Sequence, residues 1–327
     1  MNAAKIVDGA LEASVLGSFS KIGYIARQRL DGWTTPAPMT GRSVVVTGAT
    51  SGIGLACAHR FASLGASVYI VGRDPTRVAT SREQVVRSSG NDAVEGAVAD
   101  VSDLGAVREV AQWLVERTSH VDVLVHNAGA LSRERLETSD GTEMTVASQL
   151  LGPFLLTGLL LERIERAAPG RVITVSSGGL YGQRFDLDGL EMEPGEYDGV
   201  RAYARTKRAQ VVLTHEWARR IAPTSAVFHA MHPGWVDTPG LRESLPTFAT
   251  VMGPLLRTVD QGADTIVWLA SAPEVVRSSG ELWLDRRPRS EYKVPGTRSQ
   301  RPASDQRRLW EWCCARTGWS LPSTSSR

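Results

Sequence analysis

Cysteine is scarce in this chain, with Cys57, Cys313 and Cys314 the only three in 327 residues. Three thiols build no disulfide framework, and a bridge between the adjacent pair would close a strained ring, so a reducing, cytoplasmic setting is expected. Metal-binding patterns are missing as well. The six histidines form no HExxH arrangement and no CxxC occurs, so no metal site is expected. Charge of one sign is lacking, with 37 basic against 35 acidic residues, and nothing in that balance singles out nucleic acid as a partner. No run approaches the roughly 18–20 apolar residues that span a bilayer. The N-terminal Ile6, Val7, Leu11, Val15, Leu16, Phe19, Ile22 and Ile25 come nearest, but Asp8 and Glu12 interrupt them where a secretory signal would carry no acids.

What is present is an apolar fraction of 42% against 22% charged residues, enough for one large α/β domain and too much for a disordered chain. From Arg42 onward, β-branched runs recur at SVVVTG (43–48), ASVYIVG (66–72), HVDVLVHNAG (120–129), RVITVSS (171–177) and TSAVFHAMHPG (224–234), with ELWLD (281–285) as a final strand. Amphipathic stretches of helical length lie between them at 54–64, 76–88, 103–117, 142–165 and 202–221. This alternation predicts a doubly wound parallel sheet of Rossmann type with helices on both faces. Three regions follow: a helical extension with a Pro-rich linker over 1–40, the α/β domain over 41–285, and a basic tail over 286–327 with a short helix around RRLWEWCCARTG. The tail is expected to be solvated, with its tryptophans buried. The apolar stripe of the extension should pack on the main domain or on a second copy. Lys5, Lys21, Arg27 and Arg29 leave peripheral membrane contact open.

The glycine pattern TGATSGIG (47–54) sits where the first buried strand turns into a helix. Gly48 allows the tight turn, Gly52 lets a pyrophosphate approach the backbone, and Gly54 permits close helix packing. Thr50, Ser51 and Ile53 complete the loop, and the helix start offers free N–H groups to phosphate. Later, Tyr203 and Lys207 stand four apart in a helical stretch, on one face. A carbonyl reduced by hydride becomes an alkoxide that needs a proton. An ordinary tyrosine titrates at about pH 10, and a neighbouring ammonium lowers that by roughly 1–3, so Lys207 is expected to make Tyr203 a usable acid and base.

The GxxxGxG spacing together with Tyr203 and Lys207 resembles the short-chain dehydrogenase/reductase superfamily, over residues 42–285. ITVSSGG (173–179), YARTKRAQVVLTHEWA (203–218), MHPGWVDTPG (231–240), DQGADTIVWLA (260–270) and KIGY (21–24) resemble the subfamily of dehydrogenase/reductase SDR family member 12. The resemblance implies a nicotinamide dinucleotide, with Lys207 on the nicotinamide ribose and Ser177 holding the substrate oxygen. Ser176, on the other side of the strand end, should satisfy backbone groups. It implies further that Asp100 and Val101 contact the adenine and that Asn127, Ala128 and Gly129 lie under the adenosine ribose. Pro233, Gly234 and Val236 would serve the carboxamide, and Thr238 the phosphates. Gln149 stands where the superfamily places a fourth catalytic residue, an asparagine that holds a water for the lysine; the longer amide implies slow but real catalysis. His232 reads as a satisfied strand-end histidine rather than a proton donor.

At the end of the second strand Gly72-Arg73 replaces the acid that would bind both ribose hydroxyls of NAD. A guanidinium there suits a 2′-phosphate, so NADP(H) is favoured, with NAD(H) open. Two segments rich in apolar residues, 178–202 and 239–257, are expected to border the nicotinamide end of the cleft. They point to a bulky lipophilic carbonyl or alcohol, unless they pack on the core or on another subunit. Superfamily members often pair through the helices equivalent to 142–165 and 202–221, which implies a homo-oligomer. An NADP(H)-dependent oxidoreductase is the leading expectation. The alternatives are a weakly active or inactive cofactor-binding regulatory protein and a membrane-surface protein organised by its N-terminal helix.

Overall fold

The computed structural model describes residues 3–322. Strands β1 (Ser43–Thr47), β2 (Ser67–Gly72), β3 (Val94–Val98), β4 (Val123–His126), β5 (Gly170–Val175), β6 (Ala226–Met231), β7 (Leu282–Leu284) and β8 (Arg287–Pro288) form one sheet in the order β3-β2-β1-β4-β5-β6-β7-β8. The first seven run parallel and β8 turns back on β7. β1 explains its own centrality: Val45 enters the core on one face of the sheet while Val44 and Val46 enter the core on the other. The chain order reverses between β1 and β4, which opens a crevice at their C-terminal ends.

Three short helices, α1 (Ala3–Ala13), α2 (Val15–Phe19) and α3 (Lys21–Asp31), precede the sheet. α4 (Gly52–Ser63), α5 (Pro75–Ser89) and, late in the chain, Val259–Ser271 pack on one face. α6 (Leu104–Arg117) packs on the other, beside the apolar segment that begins at α7 (Met144–Val146) and continues as α8 (Gly152–Glu165). That segment is the one described helix apolar and long enough to cross a membrane, and it is mostly buried within the fold. The long α9 (Gly199–Arg220) completes this layer. After β6 come α10 (Pro239–Ser244), α11 (Pro246–Met252) and α12 (Val259–Ser271), and after β8 comes α13 (Pro302–Thr317).

The structure corrects several expectations. β3 was not foreseen, because VEGAV carries a glutamate and a glycine and lies half exposed at the sheet edge. The basic tail is not a solvated arm. Arg286 pairs with Asp264, Arg287 with Asp8 and Asp31, and Arg289 with Asp8, while Leu309, Trp310 and Cys313 of α13 are buried. The helices expected to carry subunit pairing are packed against this chain's own tail. Trp310 packs against Phe154 and Trp217 with ring centres 5.1 and 4.7 Å apart, and the Trp319 ring lies against Gly158.

The expected stripe of the N-terminal extension is split, with Phe19 buried against the main domain while Ile6, Val7, Val15, Leu16 and Ile22 are exposed and the acids Asp8 and Glu12 face inward. Buried guanidiniums set that polarity. Arg27, fully buried, donates from Nε to Asp8 (2.7 Å), from Nη1 to Asp285 (2.7 Å) and the Ser18 carbonyl, and from Nη2 to Glu12 and the Ser18 hydroxyl. Arg257, equally buried, clasps both oxygens of Asp285 at 2.6 and 2.9 Å and spends its other N–H groups on the carbonyls of Ser18, Phe19, Ser20 and Pro233. All five N–H groups of each guanidinium are thereby used.

Asp285 is the one carboxylate shared by both arginines. Its φ of +54° is a conformation asparagine tolerates, so Asp285→Asn isolates the charge. That substitution should lower unfolding free energy by about 3–5 kcal/mol, measured by urea denaturation, and a change within error would show that the cluster adds nothing to stability.

Candidate active site and the family of the chain

The turn after β1 is built for close approach. Gly48 has φ +65°, and a Cβ there would stand 2.7 Å from the Cα of Ala128. At Gly54 a Cβ would meet the Asn127 amide and the Gly48 carbonyl at 2.4 Å. Asn127 explains the crowding: its Nδ2 donates to the carbonyls of Thr47 and Gly48, while Thr47 Oγ1 accepts from the N–H groups of Asn127 and Ala128. Ser51 is the N-cap of α4 but caps no backbone N–H with its side chain, so the positive end of α4 is left for an anion. Gly52, with φ +54°, begins the helix, and Ile53 beside it packs near Gly262. This cradle fits a dinucleotide pyrophosphate.

The other expected contacts lie around it. Thr50 leans on Gly72 at the end of β2, where Arg73 is exposed. Asp100 follows β3 and accepts from the N–H and hydroxyl of Ser102, and the Val101 carbonyl lies against Gly152. Gly129 abuts the Gln149 side chain. Beyond β6, Gly234 has φ +75°, Val236 pairs with Arg257, and the Pro233 carbonyl accepts from Arg257. Thr238 caps α10 through its hydroxyl and turns its methyl towards Gly52.

Ser177, Tyr203 and Lys207 meet at the end of β5. Ser177 caps the 3-10 turn Gly178–Gly182, its hydroxyl accepting from the Gly179 N–H, and it stands close enough to the Tyr203 phenol to lower its pKa. Lys207 donates from Nζ to the Val175 carbonyl at 2.8 Å and stands 5.2 Å from the centre of the Tyr203 ring. Ser176 donates to the Lys207 carbonyl. Burial pushes the Tyr203 phenol above its usual range, opposed only by the nearby Ser177 hydroxyl. The same burial pushes Lys207 down to about 7, so the ammonium expected to acidify the phenol itself sheds charge near neutrality.

Gln149 lies in a π-helical turn, Ala147–Leu151, between α7 and α8, a widening that nothing in the sequence announces. Its Nε2 donates to the Ala130 carbonyl at 2.8 Å, and its own carbonyl accepts from Gln210 Nε2 at 2.6 Å. Gln149 Oε1, Gln210 Oε1 and His126 Nδ1 have no partner, and all three residues line a cavity of about 20 Å³, room for one water. The amide is thus engaged with the Ala130 loop, with no hydrogen bond to Lys207. His232 is buried with Nδ1 unpartnered and its ring edge-on to Phe19 and Tyr181, so it is less satisfied than expected.

A cleft of about 560 Å³ opens one turn before Tyr203, lined by Leu131, Arg133, Tyr197, Val200, Leu245 and Phe248. Both apolar segments line it, the first through residues 197–200 and the second through residues 244–248. Leu180, Phe185, Leu190 and Met192 of the first are buried in the fold, and the second is two short helices rather than loose chain. Sequence reasoning also missed Arg257 and Phe19. Arg257 pairs with Asp285, and the Phe19 carbonyl accepts from the Trp235 N–H at 2.8 Å. No local signal marks contacts of that sequence separation.

Comparison with known proteins agrees with this architecture. The short chain dehydrogenase family model matches residues 42–247. Dehydrogenase/reductase SDR family member 12 of Bos taurus is 40% identical over 269 residues, 82% of this chain and 84% of that protein. Retinol dehydrogenase 13 of Homo sapiens is 30% identical over 96% of each chain. A crystal structure of an uncharacterised protein from Mycobacterium paratuberculosis superposes with a TM-score of 0.70 at 28% identity, covering 89% of this chain and 99% of its own. With the family model spanning well over half its length, the chain belongs to the short-chain dehydrogenase/reductase family, an oxidoreductase family of the Rossmann type.

Proposed function

We propose that the protein is an NADP(H)-dependent oxidoreductase that interconverts a lipophilic carbonyl and its alcohol, with Tyr203 as acid and base. The observation that carries this reading is the convergence of Ser177, Tyr203 and Lys207 beside the phosphate cradle of α4. When bound, the nicotinamide supplies or accepts the hydride. Ser177 holds the substrate oxygen, and the phenol passes it a proton. Lys207, 5.2 Å from that ring, binds the nicotinamide ribose and keeps its amine against the Val175 carbonyl. Arg73, exposed beyond β2 and without the competing acid, supports the phosphorylated cofactor. Leu245 and Phe248 in the cleft support an apolar substrate, as does the retinol in the name of a relative that matches this chain over nearly its whole length. The free thiols Cys57, Cys313 and Cys314 support a reducing, cytoplasmic setting.

A second reading, cofactor binding with little turnover, draws on Gln149, whose amide is engaged at Ala130. One experiment separates the two. Purified protein with NADPH or NADH and a panel of lipophilic aldehydes and ketones should oxidise NADPH preferentially, and Tyr203→Phe should cut the rate by about 10²–10⁴-fold. Tight NADPH binding with no oxidation of any substrate would favour the second reading.

The raised phenol sets the sign of the pH dependence. Reduction needs the protonated phenol, which burial favours, so kcat for reduction should stay level around neutrality and fall as pH rises towards the tyrosine's own titration. Oxidation needs the phenolate and should climb over the same range. Profiles of equal slope in both directions would remove Tyr203 from the proton transfer.

We also propose peripheral contact with an anionic lipid surface. Of the eleven large apolar residues exposed among the described ones, six lie in α1–α3: Ile6, Val7, Val15, Leu16, Ile22 and Leu30. Scattered exposure is ordinary, and six such residues within three consecutive short helices support a contact surface there. Lys5 and Arg29 stand exposed among them, while Asp8 and Glu12 are consumed by inward ion pairs, a pattern suited to anionic headgroups. The full chain should float with vesicles of phosphatidylcholine and phosphatidylglycerol and not with phosphatidylcholine alone, and Val15→Asp with Leu16→Asp should abolish flotation. Flotation unaltered by that pair would remove α1–α3 as the contact.

A further inference from the structure

We infer that Arg257 is a positioning residue through which the N-terminal helices set the loop serving the nicotinamide end of the cofactor; the inference rests on the dinucleotide reading above. Phe19, Arg257 and Asp285 all lie outside residues 42–247, the span of the family model. Residues 233–236 leave the C-terminal end of β6, beside β5 and the Ser177 turn. Three polar groups along this loop are bonded from outside the span. Arg257 Nη1 donates to the Pro233 carbonyl at 3.1 Å, the Arg257 N–H donates to the Trp235 carbonyl at 2.7 Å, and the Trp235 N–H donates to the Phe19 carbonyl at 2.8 Å.

Gly234 shows how closely the clamp is fitted. A Cβ at this residue would lie 2.5 Å from both Arg257 Nε and the Phe19 carbonyl oxygen. The guanidinium cannot drift, because Asp285 holds it bidentately and Ser18, Phe19 and Ser20 take its remaining hydrogen bonds. The Phe19 ring extends the same support to the catalytic serine. It lies edge-on to Trp235 and His232 with centres 5.9 and 4.7 Å away, and a Cβ on Gly178, next to Ser177, would touch it at 2.5 Å. The extension is therefore the back wall of both the serine turn and the cofactor loop.

A lysine at this position keeps the charge for Asp285 but offers three donors on a point ammonium in place of a five-donor fork, so it cannot hold Asp285 and four carbonyls at once. Arg257→Lys should therefore weaken NADP⁺ binding by about tenfold to a hundredfold, read by calorimetry. Adenosine 2′,5′-bisphosphate, which lacks the nicotinamide half, should bind the variant as it binds the native chain. Asp8→Asn is the comparison. Asp8 belongs to the same ionic cluster through Arg27, Arg287 and Arg289 but has no hydrogen bond to the loop, so it should lower the melting temperature and leave both affinities unchanged. Equal loss of both ligands in Arg257→Lys, or loss of NADP⁺ affinity in Asp8→Asn as well, would reduce Arg257 to a general stabilising role. Failure of the native chain to bind either ligand would instead overturn the dinucleotide reading itself.

Discussion

One buried carboxylate, Asp285, holds two buried guanidiniums, and much of what is particular to this chain hangs from it. Arg27 and Arg257 bring α1–α3, the end of β7 and the loop after β6 to a single point. Burying such charges is costly, and the Coulomb attraction alone rarely offsets the desolvation. Here the offset is completed by hydrogen bonds. Asp8 and Glu12 supply further charge, and main-chain carbonyls of residues 18–20 and 233 absorb the remaining N–H groups. The same bonds explain why α1 turns its acids inward and its apolar side chains outward. Arginine, not hydrophobic burial, decides its orientation.

The candidate active site shows a related tension between burial and charge. Lys207 and Tyr203 are drawn together by their spacing on α9, yet each is pushed towards its neutral form by the same loss of water. Lys207 commits one of the three donors of an ammonium to the Val175 carbonyl. Ribose hydroxyls and cofactor phosphates are the kind of polar and anionic company that restores its charge. The raised phenol is in the protonation state that carbonyl reduction requires.

The parts of the fold legible in the sequence were those with local causes. β1 reads from three consecutive valines, the cradle from glycines whose missing Cβ atoms are each required by a contact under 3 Å at Gly48 and Gly54, and the tyrosine–lysine pair from one helical turn. β3 escaped because an edge strand needs no apolar run. The inverted α1, the ordered basic tail and the covered faces of α8 and α9 escaped for a different reason. Each depends on a partner more than a hundred residues away, such as Arg289 for Asp8 or Trp310 for Phe154. Periodicity reports which face of a helix is apolar, and only the tertiary partner decides which face is buried.

That distinction bears on why the added segments use ions where an apolar patch would have sufficed to attach them. Apolar packing fixes distances between surfaces but leaves the direction of a nearby carbonyl free. A guanidinium fork fixes direction, because its five N–H bonds radiate in one plane at set angles. The loop at 233–236 has to present backbone groups, and Gly234 permits the left-handed turn that aims them. Flexibility granted by a glycine must be removed by something else if the loop is to hold one conformation. Arg257 and the Phe19 carbonyl, bonded to each other, fill the space where a side chain of that glycine would stand, so the constraint the residue itself cannot supply is provided from outside the loop.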